Sequence, residues 1–174
     1  MTYADLIGPD GTENNMGGTA QFLYFTPWID IATFAAPAAL PAQQSLLTTP
    51  HTMKTGKKFQ TLYVTIDTSD LEIALNGDID GISFKPTLKC FYPGFSDGIV
   101  DFINKAKNDK FLFLVPLPDG KIVQIGSSRF VAYVKPSPKT DKTTGRGRGT
   151  EFEIFCFQPD YLIYNAAVPL TPAA

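Results

Sequence analysis

Apolar and polar positions alternate along most of this chain with the two-residue period of β-strands, most densely over residues 110–157. That stretch reads KFLFLVP, a turn LPDG, KIVQIGSS, RFVAYVK, a charged Gly-rich loop and EFEIFCF, and predicts four consecutive antiparallel strands. In Leu117-Pro118-Asp119-Gly120, Pro presets φ for a type I turn and Gly supplies a positive φ, so a short hairpin is expected there. The last strand points Phe152, Ile154 and Cys156 one way and Glu151, Glu153, Phe155 and Phe157 the other. The first strand is apolar on both sides, with Phe111, Phe113 and Val115 on one and Leu112 and Leu114 on the other. A strand with no face suited to water belongs in the centre of a sheet or at a subunit contact.

Earlier in the chain, residues 20–25 and 28–34 read as two strands separated at Pro27. FQTLYVTID at 59–67 predicts a long strand with Leu62, Val64 and Ile66 on one side. DLEIALN at 70–76 and GISFKPTLKC at 81–90 repeat the alternation, with Pro86 pointing to an edge or a bulge in the latter. The intervening NGDIDG matches the opening of an EF-hand loop. Its twelfth position is Thr87 rather than a bidentate Glu, so a hairpin turning at Asn76-Gly77 is the expectation. One helix is predicted between Ser96 and Lys107, because Ile99, Phe102, Ile103 and Ala106 recur at helical spacing behind a Ser N-cap and Asp97.

Three segments do not alternate. Residues 1–18 are rich in Gly, Asn and Asp and predict a mobile arm, with Tyr3, Leu6 and Ile7 as the side chains available to dock it. Residues 35–58 form a long loop that is uncharged from Ile31 to Met53 apart from His51, and its prolines and glutamines forbid a membrane span. Its Leu40, Leu46, Leu47 and Met53 call for an apolar surface, supplied either by the chain's own core or by a second copy. Residues 159–174 form an extended apolar tail whose Tyr161, Ile163, Val168 and Leu170 also need a surface.

Composition narrows the class. At 174 residues the chain is one domain's worth, with 14 Phe, 14 Pro and 14 Gly, the profile of an all-β domain. A net charge of −2 argues against nucleic-acid attraction by the chain as a whole. The segment 59–83 has no Lys or Arg and carries Asp67, Asp70, Glu72, Asp78 and Asp80, whereas Arg129, Lys139, Arg146 and Arg148 lie in a basic later segment. Cys90 and Cys156 sit in strand-like runs and read as buried thiols, with a disulfide open. No signal peptide is expected, since no basic run precedes an apolar one at Met1.

Chemistry has little material. His51 is the only His, so neither a His-based triad nor a His-containing metal cluster is expected, and no cofactor motif is present. Gly145-Arg146-Gly147-Arg148-Gly149 precedes a strand and opens no helix, so it is no dinucleotide fingerprint. It is either a phosphate contact or a loop kept soluble by its charge.

The run FLFLVPLPDGKIVQIGSSRFVAYV, its Lys/Thr/Gly loop, TEFEIFCF and the tail PDYLIY resemble the C-terminal half of tail tube proteins of long-tailed bacteriophages. GGTAQFLYFTPWIDIATF is similar to the start of such proteins, and the uncharged loop takes the place of their inter-ring loop. The resemblance implies two packed antiparallel sheets with one flanking helix in a single domain. It further implies homohexameric rings that stack into a tube, join other tail proteins in the virion after assembly in the bacterial cytoplasm, and pass double-stranded DNA, with no enzyme activity and no membrane partner. Under it, Leu40, Leu46, Leu47 and Met53 become ring-to-ring contacts, and Tyr161, Ile163, Val168 and Leu170 arm contacts. Asp67, Asp70, Glu72, Asp78 and Asp80 become candidates for the lumen lining, since a conduit for DNA should not bind phosphates. The alternatives are a capsid decoration or other virion surface β-protein, and a small β-barrel enzyme or nucleic-acid module using Arg146 and Arg148.

Overall fold

The alternating segments become strands in a computed structural model that describes residues 8, 11, 12, 14–37 and 45–174. β1 (Phe22–Pro27) ends at its proline and passes into a 3-10 turn, Trp28–Asp30, before β2 (Ile31–Thr33). Trp28 therefore opens a turn instead of a strand, with its indole N–H donating to the Ser127 carbonyl at 3.0 Å. The long loop contributes β3 (Leu46–Leu47) and β4 (Thr52–Met53). There follow β5 (Gln60–Tyr63), β6 (Asp70–Asn76), β7 (Ser83–Pro93), α1 (Asp97–Ala106) and β8 (Phe111–Pro116). β9 (Ile122–Ile125), β10 (Tyr133–Lys139), β11 (Gly149–Phe155) and β12 (Leu162–Tyr164) complete the order. The chain is mainly β, with one α-helix and several sheets among the described residues.

A six-stranded sheet runs β3-β12-β9-β8-β1-β5, a four-stranded sheet β10-β11-β7-β6, and β2 pairs with β4. The predicted row of four strands is thus two hairpins in different sheets. β8 and β9 turn at residues 117–120, where the Gly120 amide donates to the Leu117 carbonyl and Gly120 takes φ +87°. β10 and β11 pair from Tyr133↔Phe155 to Lys139↔Gly149. Between the hairpins the chain changes sheets, and Ala132 bridges back to Phe111.

The apolar character of β8 on both faces now has a cause. Phe111, Phe113 and Val115 enter a core shared by the two large sheets, with Leu23, Leu62, Leu88, Cys90, Phe152 and Ile154. Ile99 and Ala106 of α1 are buried in the same core, and Phe102 and Ile103 pack against it. Leu112 and Leu114 enter a second core on the other side of the same sheet, with Ile31, Leu47, Met53, Phe59, Leu162 and Tyr164. β8 sits in the interior of its sheet, between β9 and β1. Each such side chain moved from water contributes roughly 1.5–3 kcal/mol.

Four local expectations are corrected. The strand at 59–67 stops at Tyr63, because the Thr68 hydroxyl bonds the Thr65 carbonyl at 2.6 Å and Asp67 takes φ +60°, which turns the chain and leaves Ile66 exposed. β7 is an interior strand rather than an edge: Pro86 has no amide to give, so the β11 ladder ends at Thr87↔Phe155 and resumes at the Phe84↔Gln158 bridge. The β6–β7 connection is not a two-residue Asn-Gly turn. It spans residues 77–82 between the paired Asn76 and Ser83, turns at Asp78–Gly81, and holds Asp80 at φ +68°. At α1 the backbone carbonyl of Ser96, not its hydroxyl, receives the Ile99 and Val100 amides.

The described parts of the loop, residues 35–37 and 45–58, and the tail at 159–174 together make the second core's cover. β3 runs parallel to β12, so the sheet is not purely antiparallel, and the Asn165 amide donates to the Leu47 carbonyl at 2.8 Å. Further along, Phe59 N–H bonds the Pro169 carbonyl, and the Ala173 amide bonds that of Lys57. Leu47 and Met53 are buried within their own chain, which removes them as ring-to-ring contacts: an uncharged loop satisfied its apolar side chains on the nearest open sheet face.

Candidate functional site

Among the described residues, a polar cluster is buried against the second core. His51 Nδ1 accepts from the Ala35 amide at 3.0 Å and Nε2 lies 2.9 Å from Gln124 Oε1, which fixes the proton on Nε2. Gln124 Nε2 donates to the Gly126 carbonyl, and the Gly126 amide donates to Gln158 Oε1, both at 2.9 Å. The Tyr164 hydroxyl accepts from the His51 amide and donates to the Ala167 carbonyl at 2.9 Å, while the imidazole stacks on the Tyr164 ring at 5.1 Å. Burial pushes the His51 pKa below 6.5, against the opposing effect of its bond to Gln124. A neutral imidazole whose two nitrogens are occupied by an amide and a carboxamide ties loop, sheet and tail together; it faces no nucleophile. Cys90 and Cys156 are free, and burial raises both thiols to about 12, which leaves them protonated and inert.

The remaining charged and aromatic groups lie on the surface. The exposed face of the four-stranded sheet carries a cross-strand row, Lys135↔Glu153↔Lys89↔Asp70, in which sign alternates from strand to strand. Lys135 also lies 4.7 Å from the Phe155 ring centre, and Lys85 lies 5.3 Å from that of Phe157. At one end of this sheet the β10–β11 loop is shaped by Asp141, whose carboxylate accepts from the Lys142 and Arg146 amides at 2.7 and 2.9 Å. Arg146 lies 5.2 Å from the Phe91 ring centre, and Lys139 pairs with Glu151. The loop closes at Gly149, where any Cβ would collide with the Phe91 ring and the Tyr92 carbonyl. Beside it is a cleft of about 780 Å³, lined by Phe91 and Pro138, by Lys139 and Arg146, and by Asp141 and Glu151.

Of the expected site residues, Leu40, Tyr3, Leu6 and Ile7 lie outside the described residues. Leu46 is half-buried and pairs with Ile163. Ile163 packs against the first core and Val168 against the second, and both stay partly exposed. The tail runs back over its own sheet, and of the four expected arm contacts Tyr161 and Leu170 are the most exposed. The five acids are all exposed but form no single surface. Asp70 and Glu72 share one face of β6, Asp67 sits in the preceding turn, and Asp78 and Asp80 sit at the β6–β7 tip. Sequence reasoning missed Leu75, Ile79 and Ile82, which stand 66%, 88% and 58% exposed around that tip. The signal was there, in three large aliphatics bracketing a Gly-rich turn. Among the described residues no helix is long and apolar enough to cross a membrane. No protein family, curated protein or solved structure matches this chain.

Proposed function

We propose that this chain is a structural subunit that assembles with itself, and specifically a tail tube subunit of a long-tailed bacteriophage, forming six-membered rings that stack into a conduit for DNA. The observation that carries assembly is β6, an edge strand of seven residues with neither Pro nor Lys. Monomeric proteins protect such edges, and ring closure pairs them. At the opposite edge of the same sheet β10 carries Pro136 and Pro138, which blunt it. The two-layer β arrangement with one helix on its core, and the order of elements resembling tail tube proteins, favour the tube over other assemblies. A capsid decoration is the competing reading.

The lining claim narrows to the exposed face of the four-stranded sheet. There Asp70, Glu72, Glu151 and Glu153 are interleaved with Lys85, Lys89 and Lys135, so the face has no strong field for phosphates in either sense. Mass determination by light scattering, with negative-stain images, tests the reading. Hexameric rings or tubes are the expected result, and Leu75→Lys, which puts a charge on the free edge, should leave folded monomers. A trimer or a monomer at every concentration overturns it in favour of surface decoration.

A further inference from the structure

The two hairpins of the four-stranded sheet point to opposite ends of the molecule. β7 runs from the β6–β7 tip at Ser83 to Pro93, which pairs with Gly149 at the base of the β10–β11 loop. Eleven extended residues separate the two by about 35 Å. The first tip carries Asp78 and Asp80 with no basic residue between positions 59 and 83, and it offers Ile79 and Ile82 to solvent. The second carries Lys142, Arg146 and Arg148 against Asp141, whose carboxylate is already committed to backbone amides, while Lys139 at its base is paired with Glu151. An apolar residue flanked by carboxylates stands at one end, and a cleft lined in part by Phe91 and Pro138, beside a loop of net positive charge, stands at the other.

We propose that the β6–β7 tip of one copy docks in the cleft beside the β10–β11 loop of the next, with Ile79 against Phe91 and Pro138 and Asp78 and Asp80 facing Lys142, Arg146 and Arg148. The occupant is a second copy of this chain because the two complementary surfaces are both its own. Burying Ile79, the most exposed large hydrophobic side chain among those described, supplies apolar area, while the charges set direction and partner. The contact is heterologous, since the tip and the cleft are different surfaces, and repetition gives a ring or an open filament. It assigns Asp78 and Asp80 to docking and not to a lumen lining. It does not depend on the tube reading.

A charge-swap tests it. Asp78→Lys with Asp80→Asn makes both ends basic, and Asn keeps the left-handed conformation at position 80. Lys142→Glu with Arg148→Glu makes both ends acidic, and leaves Arg146 over Phe91. Wild type should sediment as an assembly that high salt weakens. Each variant alone should sediment as a monomer with an unchanged circular dichroism spectrum, and an equimolar mixture should recover the assembled boundary, because each basic tip then meets an acidic loop and each acidic tip a basic one. A mixture that stays monomeric, or either variant assembling alone as wild type does, overturns the contact. An open filament with these properties supports the contact and sinks the hexameric ring. A hexamer indifferent to both variants does the reverse.

Discussion

The two faces of the six-stranded sheet are covered in different ways, and the difference governs how the molecule should fail. The inner face meets another sheet and α1 mainly through apolar groups, the buried Thr150 hydroxyl excepted, with aromatic rings in mutual edge contact: Phe102 lies 5.2 Å from Phe25 and 5.8 Å from Phe152. Regular strands satisfy their own backbone, so nothing polar is needed there. The outer face is covered by irregular chain, residues 46–59 and 162–173, whose backbone groups must find partners one at a time. Loop and tail pair with each other, Asn165 with Leu47, Phe59 with Pro169 and Ala173 with Lys57; the Tyr164 hydroxyl serves the His51 amide and the Ala167 carbonyl, and the His51 bond to Gln124 ties the loop to the sheet. Packing holds the inner layer, and a hydrogen-bonded network positions the outer one.

The largest expected effect breaks the inner side. Phe152→Ala should cost about 3–5 kcal/mol and lower the midpoint of chemical denaturation for every probe at once. Leu47→Asp acts on the outer side by burying an unpaired charge under Tyr164 and Leu114, and its cost is on the order of several kcal/mol. Hydrogen exchange distinguishes the two. Leu47→Asp should release protection in residues 46–59 and 162–173 while β8 and β11 stay protected; uniform loss across both layers would show that the layers are one cooperative unit.

A smaller effect sharpens the comparison. Gln124→Leu has a similar shape but removes the acceptor for His51 Nε2–H and the donor for the Gly126 carbonyl, each buried. Leaving them unpaired should cost about 1–3 kcal/mol per group. The companion change Val123→Ala, on the inner face of the same strand, removes packing and no hydrogen bond. Equal loosening of the tail by both variants, measured by proteolysis of the C-terminal segment, would contradict the division between packed and hydrogen-bonded layers.

What the sequence made legible divides along the same line. The alternation of 111–115 and 152–156, the turn at Gly120 and the helical spacing from Ile99 to Ala106 are local signals, and each reappears in the structure. The parallel pairing of Leu46 with Ile163 is not local: it joins two short apolar runs from opposite ends of the chain, and periodicity carries no information about which runs meet. The same ambiguity made a self-covering loop look like material for another ring. The apolar residues on both faces of β8 pointed to the centre of a sheet or to a subunit contact, without naming the loop and tail as the cover of its second face. The exposed Leu75 and Ile82 were passed over for the opposite reason, since in a strand pattern they count as core, and Ile79 because it lies in a turn read for its glycines and acids.

The last and smallest effect is a pH dependence confined to the outer layer. His51 is held neutral: burial depresses its pKa below 6.5, its ordinary value in the unfolded chain. Below that value the unfolded chain takes up a proton that the folded chain refuses, so stability is complete above about 6.5 and falls as pH drops toward the folded-state pKa. One group can change stability by at most about 1.4 kcal/mol per pH unit. Protonating Nδ1 would also displace the Ala35 amide, so the first structural consequence should be loss of protection at Ala35 and along the 162–173 segment, not in β11. His51→Gln keeps a polar side chain and removes the titration, and should flatten the difference between wild-type stability at pH 7 and pH 5.5 that other groups do not supply. An unchanged difference in that variant would assign the acid sensitivity to carboxylates on the surface and leave His51 with a purely geometric role.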